Sequence, residues 1–514
     1  MKRGINLIGA FVTVGGWTLL SRVVGLVRDL MLAAYLGTGV VAEAFQAAFA
    51  LPNLFRRFFA EGAFNLAFVP LYAKKLENAD DPDRFASDAL SVLAGMLIML
   101  TLVAQLFMPY LVYAQASGFA GTARFDLAVA LSRIIFPYVL FISLAAVFSG
   151  MLNAHGRFAA AAAAPVLLNV ILIGAMILAS YAGWDMGKTL AIAVAIAGIA
   201  QMGLVWGAIR KLGIRIKFHL PKLTPDLKRL FVIAVPTLLT GGVIQINLLV
   251  GRNVASHSEG AFAWLYYADR LYQLPLGVVG IAIGIVLLPE LARKLAAKDS
   301  VAGQAAFNRA LEFSCMLTLP AAVALALVPI PLISVLFERG AFDAADSRAT
   351  AAALSIYALG LPAFVIQKVL QPLYFAREDT RTPFRYALVA MVVNFVLAVG
   401  LSLYWGYLAA AIGTTLSAWV MLVLLWRGTR RMGLAGALDA RIRARLPRIL
   451  ISSIAMGGVI FAVQYLLWDA LNADGIRYIA LLGLICAGAV SYGAVLLLSG
   501  GIQKSDLRGF IRRS

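Results

Sequence analysis

The sequence predicts an all-α polytopic membrane protein with fourteen transmembrane helices. Three observations lead there. The 514 residues are 62% hydrophobic and only 13% charged, against roughly half apolar and a quarter charged in soluble domains. Apolar stretches of about 20 residues or more recur along the chain, each long enough to cross the hydrocarbon layer as a helix. Basic residues concentrate in alternate connections, a partition that one missed crossing would scramble.

The spans follow in order. The first, 8–36, lies in a segment that opens MKRGINLIGAFVTVGG, with the basic start and apolar run of a secretory signal. It lacks a small-x-small cleavage site and runs on into a longer helix, so it is expected to be retained. Spans 41–73, 86–114, 127–154, 158–182 and 187–210 complete a first group of six, closed by the basic loop 210–229. Spans 229–253, 261–292, 308–336, 347–375, 384–405 and 407–427 form a second six, closed by the arginine-rich loop 427–448. The last two, 447–469 and 477–500, are almost charge-free. The expected organisation is 1–225 for helices 1–6, 226–435 for helices 7–12, and 436–514 for helices 13–14 and a tail.

With the N-terminus inside, the inner segments carry 31 of the 44 basic residues. The outer loops carry six: Arg124, Lys188, Arg252, Arg339, Arg348 and Arg477. This split predicts that both termini are cytoplasmic. It also accounts for the net charge of +19 without nucleic acid, because no basic region is long and polar enough to be a soluble binding domain. Cys315 and Cys486 lie in apolar segments and read as packing residues. His155, His219 and His257 are scattered, so no metal site is expected.

A weak internal repeat supports two pseudo-symmetric six-helix lobes. PLYAKKL at 70–76 matches PELARKL at 289–295, and the pair Pro137/Asn169 matches Pro362/Asn394. The shift equals about six helices, an even number, so the halves are parallel repeats about an axis along the membrane normal.

Seven basic residues remain at membrane depth: Arg22, Arg28, Arg56, Arg57, Arg133, Arg270 and Lys368. The acids near them are Asp29, Glu61 and Asp269, with Glu43 near the outer end of the second span. An arginine at a helix centre costs about 2.5–3.5 kcal/mol on insertion scales, and such residues face a bundle interior or water and mark a pathway. Arg22 and Asp29, seven apart, share a helix face, with Arg28 about a third of a turn away. Arg57 and Glu61, four apart, fit a structural pair on one helix, while Arg56 points elsewhere. Asp269 and Arg270 diverge by about 100°. Arg133 and Lys368 are equally accounted for by snorkelling. Arg22, Arg28, Arg56 and Arg270 outnumber the acids able to neutralise them. A net-positive intramembrane cavity suits an anion, and guanidinium forks suit phosphate oxygens. Pro52, Pro236, Pro275, Pro320 and Pro362 are expected to interrupt helices that bend between states.

SRVVGLVRD, LPNLFRRFFAEGAFNLAFVPLYA and YYADRLYQLPLGVVGIAIGIVLLP resemble the signature segments of the MurJ/MviN lipid II flippase family in the MOP exporter superfamily. The resemblance covers all fourteen helices. It implies two six-helix lobes around a central cationic cavity, with helices 13 and 14 forming a groove for an undecaprenyl tail. It also implies a cargo, the pyrophosphate-linked disaccharide-pentapeptide lipid II, moved from the cytoplasmic to the periplasmic leaflet of the inner membrane. The family's essential arginines match Arg22, Arg28, Arg56 and Arg270, and Asp29 and Glu61 match acids beside them. Glu43 stands where some members carry Asp, and Gln273 where some carry Glu. The seventh span offers Gln245 and Asn247 but no acid for the sodium site of some members. The expected partners are lipid II and membrane lipids, with cell-wall synthesis proteins left open. No cofactor is expected; transport would be driven by membrane potential or an ion gradient, with the coupling ion undetermined.

Three rivals remain at this point. Another exporter of the superfamily would fit the fold, although a cationic-drug exporter calls for an acidic cavity, so a flippase for a different polyprenyl-pyrophosphate glycan is the nearer alternative. A membrane enzyme acting on polyprenyl-linked sugars needs a catalytic acid or metal loop. FERGAFDAADSR (337–348) is the one acid-bearing outer candidate and lacks paired spacing. A non-transporting scaffold leaves the intramembrane arginines without a purpose. The sequence therefore reads as a transporter, not an enzyme.

Overall fold

Alanine, leucine, valine and isoleucine dominate the chain, and in an apolar solvent each backbone N–H and C=O must be satisfied within its own segment. Helices are the outcome. A computed structural model describes residues 7–59, 63–220, 224–282, 293–294, 297, 299–473 and 475–502. The chain forms two compact units, Met1–Ala263 with Gly340–Phe342, and Trp264–Arg339 with Asp343–Ser514.

The first unit contains α1 (Leu7–Leu36), α2 (Val40–Phe59), α3 (Ala63–Asn78), α4 (Pro82–Leu106), α5 (Met108–Gln115), α6 (Ala123–Ile135), α7 (Tyr138–Ala154), α8 (Ala159–Ala182), α9 (Met186–Lys211) and α10 (Pro225–Ala255). Its core joins Phe45, Phe68, Leu90, Phe136, Phe148 and Leu190, all essentially inaccessible. Helix starts carry the expected chemistry: Asp185 accepts from the Lys188 N–H at 2.7 Å, and Thr224 caps α10 just before Pro225. Gly183 ends α8 with φ of 69°, a left-handed cap that a side chain would strain.

The second unit holds most of α11 (Ala261–Ala282), then α12 (Ser300–Leu327), α13 (Pro329–Phe337), α14 (Ala344–Phe375), α15 (Arg381–Trp405), α16 (Leu408–Thr429), α17 (Ala440–Leu466), α18 (Trp468–Asn472) and α19 (Arg477–Leu498). Asp343 and Asp346 form a reciprocal capping box at the start of α14. Asp439 caps α17 through the Ile442 N–H at 2.8 Å.

Within the described residues the predicted spans fall on helices or consecutive pairs of helices, with residues 60–62 of the second span and 283–292 of the eighth lying outside them. By length and composition, nine helices among the described residues qualify as membrane-crossing, and the α6–α7 pair, bent by 41°, adds a tenth. Two expectations are corrected. Pro52, Pro275, Pro320 and Pro362 lie inside continuous helices, since neighbouring helices can re-satisfy the freed carbonyls. Among the described residues the breaks within spans fall instead at Phe107, Phe136–Pro137, Val328 and Leu467, the first three where Pro109, Pro137 and Pro329 enter a first turn or a cap. The boundary expected at 225/226 also differs from this division: α10 packs within the first unit, chiefly along α3. The Asn253 amide at its end donates to the Ala114 carbonyl at 3.2 Å, and Ser256 Oγ accepts from the Gly118 N–H at 2.9 Å.

Candidate functional site

In the first unit, α1 presents Ser21, Gly25 and Arg28 at positions i, i+4 and i+7, so all three share one helix face. That face packs on α8. Arg28 and Asp29 are buried, 6% and 3% exposed. The guanidinium donates to Asp29 Oδ1 from Nε at 3.0 Å and from Nη2 at 2.6 Å, and from Nη1 to Asn169 Oδ1 on α8 at 2.8 Å. Asn169 in turn donates from Nδ2 to the Ser21 carbonyl at 3.1 Å. The charge that looked too expensive for a helix centre thus sits between an anion and an oriented amide dipole. Burying it without them would cost several kcal/mol.

Arg22, on the same side of α1 as Asp29, is partly exposed and makes no hydrogen bond or ion pair among the described residues. Arg56 is half-buried near the end of α2 and Arg57 is exposed. Glu61, expected to pair with Arg57, lies outside the described residues.

Among the described acids of the predicted set Glu43 is the most deeply buried, 1% exposed. Its Oε2 accepts from Arg124 Nη1 at 3.0 Å and its Oε1 from the Phe262 N–H at 3.1 Å. Its role as a charge-pairing residue therefore has a partner that the sequence reading placed in an outer loop. Arg124 instead belongs to the first turn of α6, is 7% exposed, and lies 4.9 Å over the Phe119 ring. Nothing in the local sequence distinguishes it from a loop arginine. Asn169 did carry a signal, as a lone amide in the apolar run AAAAAAPVLLNVILIGAM, but it entered the reading only as a marker of the repeat.

In the second unit, α11 carries Asp269, Arg270 and Gln273, all half-buried. Arg270 lies 4.6 Å over the Tyr266 ring, one turn earlier, and donates from Nη2 to the Tyr266 hydroxyl at 3.0 Å. Gln273 donates its amide to Asp269, also one turn away. A neutral amide at 273 therefore solvates an acid already present. The same unit holds an apolar groove of about 280 Å³, lined by Met316, Pro320, Ala324, Met456, Leu484 and Tyr492 among others, on α12, α17 and α19.

The chain matches a known family over most of its length. The family described as "Lipid II flippase MurJ" matches residues 32–471. The chain belongs to this family. A relative described as probable lipid II flippase MurJ from Rhizobium tropici is 44% identical over 520 residues, covering 99% of this chain and 97% of its own length. The corresponding protein of Burkholderia cenocepacia is 33% identical over 508 residues, covering 96% and 98%. Among solved structures, a lipid II flippase MurJ in an inward-closed conformation aligns with a TM-score of 0.80 at 26% identity, covering 94% of this chain and 98% of that one. An inward-facing multidrug resistance MATE transporter of the MOP superfamily aligns at 0.69 with 16% identity, covering 80% and 95%, and shares the fold. Membership of the MurJ family and the run of long apolar helices make this a multi-pass protein of the bacterial inner membrane.

Proposed function

We propose that this protein moves lipid II from the cytoplasmic to the periplasmic leaflet by alternating access, without covalent chemistry and with both termini in the cytoplasm. The observation that carries the reading is the α1 cluster. A buried guanidinium is held between α1 and α8 in a chain whose relatives bear the name of lipid II flippases. In this reading Arg22, Arg28, Arg56 and Arg270 bind the pyrophosphate, Asp29 orients Arg28, and the polyprenyl chain stays in the bilayer along the groove of α12, α17 and α19. That groove is apolar throughout, which suits a hydrocarbon tail and not a sugar.

Membrane potential acts on net charge at about 2.3 kcal/mol per charge per 100 mV. An empty cationic site would be drawn toward the negative cytoplasm, and a bound pyrophosphate would cancel that bias. The test is replacement of each of the four arginines by alanine in cells depleted of their own flippase. Loss of growth with protein still in the membrane is expected for at least the α1 pair. Normal growth with all four neutral would overturn the reading. A flippase for another polyprenyl-pyrophosphate glycan remains separable by binding: the purified protein is expected to prefer lipid II to a pyrophosphate carrier bearing a different sugar.

A further inference from the structure

We propose that Asn169 is a positioning residue for the anion site, setting the plane and depth of the Arg28 guanidinium from across the α1–α8 interface. The inference rests on the transport reading above and deepens it by one residue.

Three observations carry it. First, Asn169 and Asp29 address different parts of the guanidinium: Asp29 takes Nε and Nη2 through a single oxygen, and Asn169 takes Nη1. Asp29 restrains one edge of the group and Asn169 the other. Held from both, its plane is fixed, and planar, oriented donors are what make arginine suited to phosphate. Second, Asn169 is itself fixed. Its Oδ1 faces a donor and its Nδ2 faces the Ser21 carbonyl at 3.1 Å, so only one amide orientation satisfies both partners. Third, α1 makes room for it. A Cβ on Gly25 would lie 3.3 Å from Asn169 Nδ2, tighter than ordinary contact. The glycine at the midpoint of the Ser21–Arg28 face lets the amide reach the helix backbone.

The choice of amide is also informative. An aspartate at 169 would hold Arg28 as firmly but add a second carboxylate beside Asp29, turning a neutral pair into a net anion that repels pyrophosphate. An amide orients the guanidinium and adds no charge.

Lipid II binding to the full-length protein in nanodiscs tests this, with Asn169→Leu measured in two backgrounds, wild type and Arg28→Gln. Loss of a hydrogen bond to a charged group is expected to weaken binding about tenfold in the wild-type background. With Arg28 already neutral the same change should alter binding less than about twofold, the non-additivity of residues acting as one unit. Equal loss in both backgrounds, or none in the wild type, overturns the proposal. If the leucine variant folds poorly, Asn169→Ala removes both hydrogen bonds without added bulk and gives the same comparison. Wild-type protein that fails to bind lipid II while remaining folded would sink the transport reading, and this inference with it. Intact wild-type binding with equal losses in the two backgrounds sinks the inference alone.

Discussion

Glu43 on α2 and Arg124 on α6 meet at 3.0 Å with both side chains almost fully enclosed. Burial of that degree makes the pair asymmetric in its consequences. Removing both charges together exchanges one satisfied arrangement for another, whereas removing one leaves its partner without compensation in a poor dielectric.

Arg124→Ala is therefore expected to destabilise the protein by roughly 3–5 kcal/mol, the cost of breaking a buried pair from one side. Glu43→Gln should cost less, because a neutral oxygen still accepts from the Phe262 N–H. Combining Glu43→Gln with Arg124→Met should recover much of the loss. Thermal unfolding in detergent, followed by intrinsic fluorescence, gives the ordering. A double variant no better than Arg124→Ala alone would refute the pairing argument.

A second buried carboxylate, Glu312 on α12, binds α17 within the second unit. Arg441 meets it from Nε at 3.0 Å and from Nη2 at 3.2 Å, Arg445 from Nη1 at 2.5 Å, and Arg309 of its own helix at 3.1 Å. Glu312→Ala leaves three arginines facing one another and should destabilise by about 3 kcal/mol or more. Glu312→Gln should be intermediate. High salt should narrow the difference little for Arg445, which is buried, and more for Arg309, which is partly exposed. Unfolding measured at two ionic strengths for single arginine-to-methionine variants would show this.

Gly413 lets α16 approach α15. A Cβ there would lie 2.7 Å from Asn394 Oδ1 and 3.1 Å from the Ala398 backbone nitrogen. Small residues at such crossings substitute for a hydrophobic driving force that the membrane does not supply. Gly413→Ala should gain helix propensity yet lose packing, with a net cost of about 1–3 kcal/mol. Gly400→Ala on α15, where nothing lies within 4 Å of the added carbon, serves as the contrast and should be neutral or stabilising. Equal behaviour of the two in a thermal assay would count against the contact.

These cases show which parts of the molecule could be read from the chain. The helical spans were legible because hydrocarbon imposes a single solution on the backbone, and the apolar runs record it directly. Arg22, Arg28, Arg56 and Arg270 stand out in the chain because each is a charge inside an apolar run. Their local partners at i+1 or i+4 were within reach of helical geometry, as Asp29 shows. Asn169 and Arg124 were not, since each acts across a helix–helix contact 141 or 81 residues distant in sequence. The positions of the helix breaks were missed for a related reason. Whether a proline kinks a helix depends on which neighbour satisfies the freed carbonyl, and that neighbour is tertiary.

Arg270 sits over Tyr266 and hydrogen-bonds its hydroxyl, so the ring contributes both a face and an acceptor. Tyr266→Phe keeps the face and should reduce transport by less than about tenfold, the worth of one hydrogen bond to a charged group. Tyr266→Ala removes both and should be worse. Arg270→Lys keeps the charge but loses the planar group that stacks, and is expected to fall nearer to Arg270→Ala than to wild type. Complementation of flippase-depleted cells, normalised to the protein in the membrane, ranks the four.

Gln273 supplies the last and sharpest case. Its amide donates to Asp269 across one helical turn, an arrangement in which the acid is solvated by a neutral partner. Gln273→Glu would set two carboxylates four residues apart, which is repulsive on a helix and more so in a half-buried setting. The single variant is expected to lose activity. Exchanging the pair, Asp269→Asn with Gln273→Glu, restores one acid and one amide with the donor and acceptor reversed, and should recover most of the loss. Growth of depleted cells carrying either variant decides it. If the single variant matches wild type, Asp269 does not depend on the amide. If the exchanged pair is as poor as the single, the acid is needed at 269 itself, on the turn that also presents Arg270.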